Sequence, residues 1–242
     1  MQNEQTELFE QFNVLMFTKR FSTLCDGILS TFGIDIQVEK ELSWLKRNYM
    51  KSDRFYHTIT HIIQSLSLYD EIRDNIADGR RRLAMQFAIF YHDIIYVPQN
   101  GDDFNIKHSV EAARDALSKF TQNEDQIKFV QLVQNYIVAT NHKYLFTHQM
   151  IRNKMDRNSC FMSDIDLYGL SASTNIFKTN NDNVRKEFAI FSDEDFNTGQ
   201  TEFLKSILSQ EKIYLTAEFS AYEKQARNNI ERQIIILSYK HQ

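Results

Sequence analysis

One proline and six glycines are all that the 242 residues contain. So few leave little material for the tight turns of β-hairpins, or for a glycine-rich loop that lays backbone amides onto a phosphate. Helix interiors exclude both residues and lose nothing by their scarcity. The two cysteines, Cys25 and Cys160, stand apart, with no spacing that marks a zinc knuckle or a redox pair. They are expected to be idle thiols in a reducing compartment. No apolar run reaches the length of a bilayer, and the first eight residues lack the basic start and apolar core of a secretory signal. A cytoplasmic location with no membrane partner is the expectation. Positive charge is not in excess either: 28 Lys and Arg against 32 Asp and Glu give −4, which offers no long-range attraction to nucleic acid. The short basic run Arg80-Arg81-Arg82 reads as solvated helix surface.

What is present is core material. Apolar residues make up 42% of the chain and aromatics 13%, enough to bury one large core. The expected fold class is all-α, in a single domain spanning 1–242 with residues 1–35 as an N-terminal helical extension and 36–242 as the body. Leu8, Phe12, Leu15 and later Phe21, Leu24 and Ile28 recur at three and four residues, predicting one or two helices that end near Phe32, with Gly33 as the break. Further helices are predicted over about 36–50, from Thr58 to about Arg73, over 83–95, from 106 to Phe120 and over 124–140. Three more are predicted after Ser173. The 83–95 segment is apolar on most sides and should be central. Residues 141–158 are polar and give no clear period.

Chemistry concentrates in a few polar residues set among apolar ones. His57 and His61 are four residues apart, a spacing that would put both on one helix face. His92-Asp93 falls inside the apolar 83–95 segment, where an ionised aspartate is costly unless it is paired or binds a cation. Asp166 lies in the apolar run Phe161-Met162-Ser163-Asp164-Ile165-Asp166-Leu167. Each alone is commonly a satisfied core residue or a helix cap. Five such groups on three apolar elements are hard to satisfy except by one another or by a shared metal.

The order His, then His-Asp, then Asp resembles the signature of the HD-domain metal-dependent phosphohydrolases, an all-α superfamily. Arg54-Phe55-Tyr56-His57-Thr58-Ile59-Thr60-His61-Ile62 is similar to the Arg-x-Tyr-His-x-x-x-His-Ile motif of its predicted bacterial hydrolases. Tyr91-His92-Asp93-Ile94-Ile95-Tyr96 resembles their Phe-His-Asp-x-x-Tyr, residues 137–142 their Ile-x-x-Thr-x-His, and residues 164–167 their Asp-x-Asp-Leu. Val184-Arg185, Glu187-Phe188, Glu223, Ala226, Asn229 and Glu231 extend the likeness, so it covers about residues 40–235.

The resemblance implies a compact helical fold with a metal site between central helices. The expected ligands are His61, His92, Asp93 and Asp166, with Asp164 a supporting or alternative carboxylate. One or two divalent ions per chain are implied, drawn from manganese, iron, cobalt, nickel, zinc or magnesium. His57 and Asp93 are the expected catalytic residues, with His57 protonating the leaving oxygen. His142, Lys143 and Arg54 are expected at the substrate, a small phosphorylated molecule or nucleotide. Such an ion lowers the pKa of a bound water and neutralises phosphoryl oxygens during in-line attack. The chain departs from the pattern at Asn105-Ile106-Lys107-His108-Ser109, where the family commonly has Asn-Glu-Glu-x-Ser, and at Lys143 and Gln200, which replace a histidine and an arginine. The missing acidic pair makes a non-catalytic metal- or nucleotide-binding regulator the alternative function, ahead of a di-iron oxygenase.

Overall fold

The computed structural model describes residues 2–118 and 122–239. Among the described residues there is no strand, and twelve α-helices follow one another: α1 (Gln2–Phe32), α2 (Val38–Tyr49), α3 (Ile59–Ile72), α4 (Gly79–Tyr91), α5 (Gly101–Ser118), α6 (Glu124–Val138), α7 (His142–Thr147), α8 (Gln149–Arg152), α9 (Arg157–Leu167), α10 (Thr174–Glu187), α11 (Asp193–Leu208) and α12 (Glu223–Tyr239). The all-α expectation holds. No helix among the described residues is long and apolar enough to cross a membrane. The predicted end of the fifth helix at Phe120 lies outside the described residues.

The chain divides into two compact units, one of Met1–Tyr96 and Phe104–Val138, the other of Val97–Asp103 and Ala139–Gln242. In the first unit, α1 runs unbroken to Phe32 and stops where Gly33 takes a φ of +67°, with its N–H on the Leu29 carbonyl at 2.8 Å. That left-handed conformation closes the last turn and is cheap only for glycine. Helix α4 packs against α1, α3 and α6, and Ala84, Met85 and every residue from Phe87 to Tyr91 are buried. Phe90 meets Phe17 and Phe21 edge to face at 5.0 and 5.1 Å. Each such buried phenyl contributes about 1.5–3 kcal/mol by leaving water.

One sequence expectation about α4 needs correction. The helix begins at Gly79 rather than Leu83, because the Asp78 carboxylate caps it by accepting the Arg81 N–H at 2.8 Å. It ends at Tyr91, so His92 is the capping residue and Asp93 lies in the turn beyond. The pair is therefore at a helix end and not within an apolar helix.

The second unit is held by polar staples as well as by its core. Glu223 accepts the N–H groups of Ile213 and Tyr214 and the Nε of Arg227. Arg227 in turn donates to the carbonyls of Leu208, Gln210 and Glu211. Asn229 donates to Leu170 and Ala172, and Arg185 to Phe188 and Phe191. These side chains satisfy the carbonyls that helix ends and turns leave unpaired.

Candidate metal centre

The chain enters the site through the loop before α3. Thr58 caps α3 in extended conformation, so His57 lies outside the helix and His61 is its third residue. The two histidines do not share a helix face. Their ring centroids are 6.0 Å apart, and His57 instead lies against the Tyr96 ring at 4.0 Å. Arg54 fixes this loop. Its guanidinium donates to the carbonyls of His57 (3.2 Å), Asp93 (2.7 Å) and Ile94 (2.9 Å), and it sits over the rings of Tyr49 and Tyr96. One buried cation thereby ties the residues before α3 to the turn after α4.

The tie brings three donor atoms together. His61 Nε2 lies 3.2 Å from His92 Nε2 and 3.5 Å from an Asp93 Oδ2 that is 2.9 Å from His92 Nε2. The tautomer of His92 follows from its other nitrogen, since Nδ1 is 2.9 Å from the Ile89 carbonyl, which can only accept. Nδ1 carries a proton, and Nε2 faces His61 and Asp93. Three electron-rich atoms facing one another require a proton or a cation among them.

The donor chemistry fits a divalent ion. Two ligands each about 2.1 Å from a zinc-like ion stand about 3.0–3.4 Å apart, close to the observed separations. The Asp93 side chain is 16% exposed. Burial opposes its charge, but the imidazoles of His92 and then His57, with hydrogen bonds from His61 and His92, hold the carboxyl well below the usual carboxylate range. It is an anion at neutral pH, ready as a ligand. Within the first unit, His61, His92 and Asp93 are side chains that could hold a metal ion.

In the second unit, Asp166 Oδ2 lies 2.9 Å from His142 Nε2, while His142 Nδ1 is buried without a hydrogen-bond partner. Lys143 follows His142 in the first turn of α7 and is exposed. Asp164 has a different fate. Fully buried, it accepts the Leu215 and Thr216 N–H groups at 2.8 Å each and the Thr216 hydroxyl at 2.6 Å. Its two oxygens anchor α9 to the segment after α11, and burial lifts its pKa to about 6. Ile106 is buried and Lys107 exposed on α5.

Two positioning groups carry no role in the sequence reading. Tyr96, although inside the quoted Tyr91–Tyr96 motif, becomes meaningful only when its ring is found against His57. The Ile89 carbonyl that sets the His92 tautomer leaves no sequence signal, because any residue supplies a carbonyl. No protein-family model matches the chain, and no curated protein is significantly similar to it.

Proposed function

We propose that the protein is a metal-dependent phosphohydrolase, acting on a small phosphorylated molecule or nucleotide through a divalent ion held by His61, His92, Asp93 and Asp166. The observation that carries this reading is the convergence of His61 Nε2, His92 Nε2 and Asp93 Oδ2 within 2.9–3.5 Å of one another. The likeness of the His, His-Asp, Asp order to the HD-domain superfamily supplies the reaction class. A divalent ion in such a set supplies Lewis-acid activation of water and of phosphoryl oxygens.

The chain's own residues do the rest. The Ile89 carbonyl accepts from His92 Nδ1 and so turns Nε2 toward His61 and Asp93. Arg54 holds the backbone on either side of the donors at fixed separation. His57, outside the donor triad and oriented by Tyr96, is placed to hand a proton to a leaving oxygen. His142 and Lys143 are the candidate contacts to substrate phosphate.

Metal analysis of the purified protein, followed by a panel of phosphomonoester and phosphodiester substrates with Asp93→Ala as control, tests the proposal. Metal-dependent turnover that the substitution abolishes is expected. The buried Ile106 and solvent-facing Lys107, where the resembling proteins carry carboxylates, favour a second reading: a regulator that binds metal or nucleotide without turnover. Stoichiometric metal with no hydrolysis across the panel selects that reading.

A further inference from the structure

Helices α3 and α4 run antiparallel: His61 meets His92 at one end, and the Gln86 amide donates to the Tyr69 hydroxyl at 3.1 Å farther along. Arg73 lies twelve residues beyond His61, about 18 Å of helix away from the donor triad. There the first unit opens a groove of about 820 Å³, lined by Tyr69, Arg73, Arg80, Arg82, Leu83 and Gln86 among others. The Arg80-Arg81-Arg82 run, expected to be uniformly solvated, is divided by the structure into three different environments.

Arg81 turns back to the capping Asp78 and neutralises it, and Arg80 reaches Asp125 at 3.1 Å while lying over Phe32. Arg82 is half-buried and donates only its Nε, to the Ile76 carbonyl at 3.3 Å. Among the described residues no carboxylate lies within ion-pair distance of Arg82 or of Arg73. Asp74 also lines the groove, and Asp78 is already committed to Arg81. The groove therefore holds two uncommitted guanidinium groups, those of Arg73 and Arg82, against one uncommitted carboxylate, in a chain whose overall charge is negative. Planar guanidinium forks match phosphate oxygens in pairs, and a half-buried one without an anion retains most of its capacity to bind one. Leu83 and the Tyr69 edge add an apolar wall beside them.

We infer that this groove binds a small phosphorylated anion, at a site separate from the candidate metal centre. The Arg73 and Arg82 forks take the phosphate, Arg80 screens its outer charge, and the Gln86 amide lies within the same lining. Nothing in this inference depends on the metal reading.

The test is a titration of the full chain with inorganic pyrophosphate and inorganic phosphate, before and after chelator treatment, followed by calorimetry and by the Gln86 side-chain amide resonance. Saturable binding that survives the chelator, shifts the Gln86 signal and exceeds binding of acetate is expected. Arg82→Gln and the exposed Arg73→Gln should each weaken it about tenfold, whereas Arg114→Gln, on α5 and paired with Asp115, should change it less than about twofold. Binding that disappears with the chelator belongs to the metal centre and overturns the inference. So does binding that both the Arg73 and Arg82 variants leave intact while their helical spectra match the parent.

Discussion

The Arg54 guanidinium donates to the main-chain carbonyl of Asp93 at 2.7 Å, across 39 residues of sequence. A side chain of one histidine-bearing loop thus sets the backbone of the turn that carries the next two candidate ligands. The same guanidinium serves His57 and Ile94, so the contact is a three-way joint rather than a single bond. Lysine has no planar fork with which to reproduce it. Arg54→Lys should therefore lower stability by about 2–4 kcal/mol and metal affinity by about 10–100-fold. Chemical denaturation and equilibrium metal titration check the two effects separately.

His57 and His61 should part in their phenotypes. His61 is in the donor triad, and His57 lies 6.0 Å from it by ring centroids and leans on the Tyr96 ring at a tilt. Under the proposed function, His61→Ala should empty the protein of metal. His57→Ala should keep metal at parent stoichiometry and lose about 10²–10⁴ in turnover, the usual contribution of one general acid. Loss of metal in His57→Ala would instead make His57 a ligand.

Asp164 and Asp166 are two residues apart and should fail in opposite ways. Removing the Asp164 carboxylate strands three buried donors on Leu215 and Thr216. Asp164→Ala should cost about 3–5 kcal/mol, read by thermal or denaturant unfolding. Under the proposed function, Asp166→Ala, which removes a proposed ligand beside His142, should lose metal. If the two variants behave alike, the division of roles between them is wrong.

The thiols give a pH test independent of the metal. Burial pushes Cys25 up to about 12 and Cys160 up to about 11, each with neighbouring carboxylates adding to the shift. Because the thiolate is the reactive form, about one Cys160 in a thousand and fewer Cys25 react at any instant at pH 8. Alkylation by iodoacetamide should be slow in the folded protein at pH 8, rise about tenfold for Cys160 on moving to pH 9, and become rapid on unfolding. Mass spectrometry of labelled peptides distinguishes the two sites.

The sequence by itself determined the helical class and much of its order. Scarce proline and glycine, with apolar spacings of three and four, admit little else, and the all-round apolarity of 83–91 made that helix central. It also named His61, His92 and Asp93, whose donor atoms the structure brings within 3.5 Å of one another. Tertiary structure decided what each one does. Spacing told that His57 and His61 are four apart, but the extended Thr58 put only one of them in the helix. Spacing did not divide the two carboxylates of one short run, and only the family resemblance ranked Asp166 above Asp164; Leu215 and Thr216, more than fifty residues on, engage Asp164. Three consecutive arginines read as one surface until Asp78 and Asp125 claimed two and left Arg82 to the groove. Periodicity reports which way a side chain leaves its own helix, whereas its charge, tautomer and availability are set by partners that only folding brings within hydrogen-bond range.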